Sequence, residues 1–304
     1  MSAIIEVRNL QKRYGDTIAV EDVSLSVEAG EIYGILGSNG AGKTTTVECV
    51  EGLRKADRGE IRVLGLDPIH DRAELTQRLG VQLQASELPE RMRVGEALDL
   101  YASFYRNPAD VPALVAALDL GPKLRTAYRR LSGGQKQRVS IALAMIGSPE
   151  VLVLDELTTG LDPQARRDTW DLIERVRGRG VTILLVTHFM EEAERLCDRI
   201  ALIDAGRVAV VDTPAGFAGR AQIEQRIQFR TAEPFDDALL TALPDISGVE
   251  HRGDLIVATG NDNALNAITS VLAQRGIVAQ QLRVDQPSLE DAFVSLTNSS
   301  KEIR

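Results

Sequence analysis

The segment Gly37-Ser38-Asn39-Gly40-Ala41-Gly42-Lys43-Thr44 fits G-x-x-x-x-G-K-[ST], a spacing suited to holding phosphate. Its glycines permit torsions that turn successive N–H groups towards phosphate oxygens. Lys43 is a compact charge on a flexible stem that can reach β- and γ-phosphates. Thr44 offers a hydroxyl to Mg²⁺, and Thr45 follows it in the first turn of a helix whose positive end meets the anion. Other residues further on could complete this chemistry. Asp155 could hold Mg²⁺ through water, and Glu156 could polarise an attacking water. His188 could contact phosphate, although a lone histidine is usually structural. Leu131-Ser132-Gly133-Gly134-Gln135 makes a second anion-attracting helix start.

These residues need particular elements behind them. Residues 31–36 read as a buried strand and 44–53 as a helix, which gives the loop its strand–loop–helix context; a chance glycine turn would lack it. The apolar run Val151 to Leu154 predicts a strand buried on both faces that delivers Asp155-Glu156. Gly160-Leu161-Asp162-Pro163 follows, and Pro163 suits the first turn of a helix to about Arg177. Val181 to Val186 is a further buried strand with Thr187-His188 at its end. Ser132 is placed to cap a helix running to about Ile146.

The remaining segments frame these. Ala3 to Leu10 and Ile18 to Val27 alternate as half-buried strands, and Lys12 to Asp16 between them reads as a turn. Tyr14 could stack on a flat base, but position alone favours a strand-end tyrosine with a half-buried ring. Glu60 to Leu64 reads as a strand and Asp71 to Leu79 as a helix. Gly80 to Gln84 reads as a strand, and Gln84 could reach Mg²⁺ or water, or be an ordinary solvated loop residue. Arg93 to Arg106 and Asp110 to Leu120 have helical spacing, with the aromatics of the first packing as core. Met190 to Cys197 reads as a helix, and Arg199 to Ile203 with Arg207 to Asp212 as a hairpin. Two phosphate-attracting helix starts with one lysine loop suggest that the second completes a site on another copy. An ordinary glycine turn before a capped helix carries equal weight on physics alone.

In this order the motifs resemble those of the ATP-binding cassette (ABC) transporter ATPases, over residues 1 to about 219. The resemblance implies an α/β phosphate-loop core with an antiparallel β subdomain and a helical subdomain at about 85–148. It implies ATP and Mg²⁺ as cofactors and assigns roles. Tyr14 would stack on adenine, and Gln84 would sense Mg²⁺ and the membrane subunit. Ser132, Gly133, Gly134 and Gln135 would be the signature that acts on a partner's site, with Ser132 and Gly134 meeting the γ-phosphate bound there. Glu156 would be the general base, His188 the switch histidine and Asp162 the link across the dimer. Leu157 departs from the family, which usually has Pro there, so the stiffness of that turn differs. The tail Pro287-Ser288-Leu289-Glu290-Asp291-Ala292-Phe293 is similar to the closing motif of daunorubicin-type exporters.

Residues 220–304 have the order strand-helix-strand-strand-helix-strand, which predicts a small accessory α+β domain of ferredoxin-like order, with His251 structural or solvated. The 304 residues suggest roughly two domains. A net charge of −9 argues against a nucleic-acid partner and against adhesion to an anionic membrane. No apolar run approaches the roughly 18 residues of a membrane span. Two cysteines, Cys49 and Cys197, make neither a disulfide framework nor a zinc motif. No targeting segment opens the sequence, so a cytoplasmic protein is expected. Transport would then need a permease on a separate chain and a second ATPase subunit, with export as the expected direction. A soluble ABC-type mechanoenzyme is the alternative, but its coiled-coil insertions or paired cassettes are missing.

Overall fold

A computed structural model of the chain describes residues 3–82, 88–220, 224–231, 236–285 and 289–293. The backbone divides into two units, Met1–Pro214 and Ala215–Arg304.

The first unit opens with a hairpin of β1 (Ile5–Tyr14) and β2 (Thr17–Val27), whose alternation buries Ile5, Val7 and Leu10 against Val20, Val23, Leu25 and Val27. Lys12 to Tyr14 are strand rather than turn, because Lys12, Arg13 and Tyr14 pair with Val20, Ile18 and Thr17. Only Gly15 and Asp16 reverse the chain. β3 (Ile32–Leu36) is buried at every residue and runs through the glycine loop into α1 (Lys43–Val50). β4 (Arg58–Val63) pairs with β1. The predicted helix over 71–79 is a single turn, α2 (Arg72–Leu75). Gln77 N bonds Glu74 O and Arg78 N bonds Leu75 O, three-residue bonds that tighten and end the helix. Leu79 is thereby free to open β5 (Leu79–Gln82).

The helical subdomain contains α3 (Val94–Ala102), α4 (Val111–Ala117) and α5 (Gly133–Met145). Its aromatics are not all core: Phe104 lies beyond the end of α3 and is 60% exposed, as Leu100 is 43% exposed. Then come β6 (Val151–Asp155), α6 (Pro163–Arg177), β7 (Thr182–Val186) and α7 (Met190–Leu196). The unit closes with β8 (Arg199–Asp204) and β9 (Arg207–Asp212), and α8 (Pro214–Arg220) spans the boundary. The sheet has nine strands in the order β4-β1-β2-β9-β8-β3-β7-β6-β5. The run β8-β3-β7-β6-β5 is parallel, so the carboxyl ends of β3, β7 and β6 lie side by side. That edge is where open α/β sheets bind ligands. Val153, Leu154, Leu184 and Leu185 are fully buried, each contributing roughly 1.5–3 kcal/mol by the transfer of its side chain out of water. That packing holds the strand ends rigid.

The second unit contains β10 (Gln225–Arg230), α9 (Ala238–Thr241), β11 (Ile246–Arg252), β12 (Leu255–Gly260), α10 (Ala264–Gln274) and β13 (Gln280–Asp285), with residues 289–293 helical. Its antiparallel sheet runs β11-β12-β10-β13. Ile227, Phe229 and Ile256 pack with Leu240, Ile268 and Leu272 in its core. His251 is half-exposed and pairs with Asp237 at 2.7 Å, consistent with a solvated role.

Candidate functional site: a phosphate loop and a separate signature cleft

The glycine loop is shaped by close approach. A Cβ at Gly37 would stand 2.2 Å from Ile203 O, and one at Gly42 would stand 2.4 Å from Ala19 O. Gly42 is also the N-cap of α1 in the left-handed region (φ 103°), and no side chain caps the helix. The first N–H groups of α1 therefore have no partner within the helix, which suits an anion. Lys43 is 6% exposed and donates Nζ to Gly37 O (2.9 Å) and Ser38 O (3.1 Å). Burial lowers the pKa of its ammonium, while Glu156 and Asp155 act the other way. Thr44 is exposed at the helix start. Thr46 instead bonds Gly42 O at 2.9 Å and braces the loop. Gly206 N donates to Ala41 O at 2.9 Å, which ties the loop to the β8–β9 turn.

Beside the loop stand the two carboxylates and the histidine. Asp155 ends β6 opposite Val186 of β7, and Val186 also pairs with Ile35 of β3. Its carboxyl is 5% exposed and is pushed up to about 6, chiefly by burial and then by Glu156. Asp155 Oδ1 has no hydrogen-bond partner. A buried carboxylate oxygen left bare is costly, and a hard cation shared with phosphate would satisfy it. Glu156 has φ 48°, an unusual left-handed backbone for a side chain of its kind. Its N–H is anchored to Val186 O at 2.9 Å. His188 Nδ1 lies 3.3 Å from Glu156 Oε1. Lys43, Asp155, Glu156 and His188 thus form one group. Leu157, in place of the family's proline, is fully buried, and the Gln137 side-chain amide of α5 donates to its carbonyl.

The signature residues lie elsewhere. Ser132 Oγ accepts from Gln135 N (3.3 Å), while Gln135 Oε1 accepts from Ser132 N (3.1 Å), a reciprocal cap on α5. Asp162 caps α6 by accepting from Gln164 N and Ala165 N. A Cβ at Gly133 would meet Leu161 at 3.3 Å, and one at Gly134 would meet Ala165 at 3.3 Å, so the two loops pack together. They line a cleft of about 480 Å³ whose walls include Ser132, Gly134, Gln135 and Asp162 but none of the loop lysine, the strand-end carboxylates or His188.

Tyr14 is 41% exposed, with Lys12 and Arg54 cations 5.6 and 5.7 Å from its ring centre. Its hairpin reaches the loop through Ala19 against Gly42. Gln84 lies outside the described residues. Sequence reasoning missed Glu51, which ends α1 at 5% exposure with its carboxyl pushed up to about 8 by burial, then by Asp155. A charged residue within the apolar-flanked Val50-Glu51-Gly52 was its one available signal.

Comparison with known proteins agrees with this geometry. The ABC transporter family matches residues 20–159. The daunorubicin resistance ATP-binding protein DrrA3 of Streptomyces coeruleorubidus is 35% identical over 99% of this chain and 98% of its own length. The Nod factor export ATP-binding protein I of Burkholderia orbicola is 46% identical over 70% of this chain and 71% of its own. Among solved structures, cbiO1 of Clostridium perfringens, part of the ABC transporter complex cbiONQ, superposes with a TM-score of 0.66 at 28% identity, covering 72% of this chain and 92% of that one. The dimeric ATP-binding cassette MJ0796 with ADP and phosphate gives 0.61 at 25% identity, covering 69% and 98%. At 35% identity over nearly the full length of such a relative, and with its residues 20–159 matched by the family, the chain belongs to the ABC transporter family, as an ATP-hydrolysing nucleotide-binding subunit.

Proposed function

We propose that two copies of this chain close head-to-tail around two Mg-ATP and drive an exporter whose membrane permease is a separate chain. The observation that carries this is the separation of the two half-sites. Lys43, Asp155, Glu156 and His188 are together, whereas Ser132 to Gln135 line a different cleft beside Asp162. One chain holds both halves apart, and a two-fold pair brings each into use. Residues 37 to 45 would hold the phosphates, and Tyr14 the adenine. Ser132 can accept from Gln135 N and still donate its hydroxyl proton to the partner's γ-phosphate. Glu156 would take the proton from the attacking water, with His188 at the γ-phosphate. Thr44, Asp155 and Gln84 would hold Mg²⁺, which would supply positive charge against the phosphate oxygens. Asp162 would link the two sites across the dimer.

Among the described residues no helix is long and apolar enough to cross a membrane, so transport needs a membrane partner. Leu100 and Phe104, exposed on the helical subdomain, suit an apolar contact with it. One relative's name speaks of daunorubicin resistance and another's of Nod factor export, which supports export of a drug, an antibiotic or a similar compound. The test is Glu156→Gln. It should still bind ATP, lose at least ~100-fold in turnover and accumulate as an ATP-bound dimer on size exclusion. Parental hydrolysis would remove Glu156 as the base, and a strictly monomeric ATP-bound form would remove the paired site.

A further inference from the structure

Helix α6 starts at the capping Asp162, and α7 starts two residues after His188. Three rungs join them. The Arg166 guanidinium of α6 lies 4.3 Å from the ring centre of Phe189, the N-cap of α7. One turn along, Trp170 Nε1 donates to Glu192 Oε1 at 2.9 Å, both residues being buried. Arg195 sits over Trp170 at 5.4 Å and bonds Asp171 and Glu174 of α6. Phe189 also reaches the hydrolytic group, its ring centre 4.1 Å from that of His188 with the planes tilted by 38°. Its backbone N–H is pinned to Thr187 Oγ1 at 3.0 Å. Arg166 Nε is buried with no hydrogen-bond partner, so the aromatic ring is a principal contact of this cation.

The bond from His188 to Glu156 is long at 3.3 Å, and the imidazole is about a third exposed. One such bond leaves the ring free to change rotamer. The tilted Phe189 ring, 4.1 Å away, narrows that freedom. We propose that Phe189 and Arg166 are positioning residues: Phe189 holds the His188 ring beside Glu156, and Arg166 ties Phe189 to the helix that begins at Asp162. The loop that meets the partner subunit and the histidine that meets phosphate then move as one body. This rests on the reading that Glu156 and His188 serve hydrolysis. Misplacing a catalytic group by ~1 Å can cost on the order of 100-fold in rate, while the phosphate loop keeps its hold on nucleotide. The cost should therefore fall on kcat and spare KM.

The experiment measures kcat, KM and binding of a fluorescent ATP analogue on the full-length chain. Phe189→Leu should lower kcat about tenfold with KM within about twofold, and Phe189→Tyr, which keeps the ring, should stay within about twofold of the parent. Arg166→Met should lower kcat about threefold and add nothing to Phe189→Leu. In a His188→Ala background Phe189→Leu should have no further effect. Parental kcat in Phe189→Leu, or an undiminished tenfold loss in the His188→Ala background, would overturn the proposal. Parental kcat in His188→Ala alone would remove the hydrolytic reading itself, and this inference with it. Retained binding of the analogue shows that a slow variant is folded.

Discussion

Helices α1 and α5 both direct backbone N–H groups outward at a glycine-rich start, yet they are finished in opposite ways. The start of α5 is self-satisfied, since Ser132 and Gln135 cap one another. The start of α1 is left open at a left-handed Gly42. The far end of α1 adds to its cost, because Glu51 is a buried carboxylate near a second one, Asp155, and negative charge is least welcome at a helix C-terminus. One helix is at rest without ligand. The other gains most when an anion and a cation arrive. That asymmetry fits a loop that binds first and a signature that joins afterwards.

The comparison breaks most visibly at Lys43. Lys43→Ala should cost ATP affinity at least ~100-fold, as expected for removing a desolvated charge from phosphate, whereas α5 should be unaffected. Equilibrium binding of labelled ATP checks this, and near-parental affinity would end the assignment of the loop. Ser132→Ala acts on the other member. Binding to the open chain should be unchanged while steady-state turnover falls about tenfold, by loss of one donor at the γ-phosphate. The lost cap should also cost about 1 kcal/mol of stability. A Ser132→Ala chain that binds ATP poorly when monomeric would place the signature in the wrong site.

The smallest effect sharpens the account of α1. The carboxyl of Glu51 is raised in the fold, so the folded chain holds a proton that the unfolded chain has released. Stability therefore falls as pH rises from the unfolded value near 4.5 to about 8. Asp155 acts in the same direction up to about 6. Glu51→Gln, neutral at every pH, should raise the nucleotide-free Tm by roughly 2–6 °C at pH 8 and by little at pH 5. Thermal melts across that range decide it, and a gain that does not change with pH would refute the titration.

Capped elements were the most legible in the sequence. Asp162-Pro163 and Ser132 announce α6 and α5, and both start where the caps predict. The strand, glycine loop and helix around residues 37–44 and the strand ending at Asp155 were readable because local spacing dictates them. Misreadings came where longer-range bonding decides. Lys12 to Tyr14 have turn-like composition, but the ladder with β2 keeps them extended. The helix after Asp71 was predicted too long, because apolar spacing does not show where three-residue bonds end it. Phe104 was assigned to the core by its period and lies exposed. The stack of Arg166 on Phe189 joins residues on separate helices, and no spacing rule within either helix points to it.

The two carbonyl bonds of Lys43 have a calorimetric consequence. Its ammonium is already held by Gly37 O and Ser38 O, so nucleotide does not meet a disordered lysine. Reaching phosphate exchanges one bonded state for another. The heat released on binding is then a difference between two sets of contacts, smaller than the contacts in the complex would suggest. The same exchange spares the loop most of the ordering entropy that a slack chain would lose on capture.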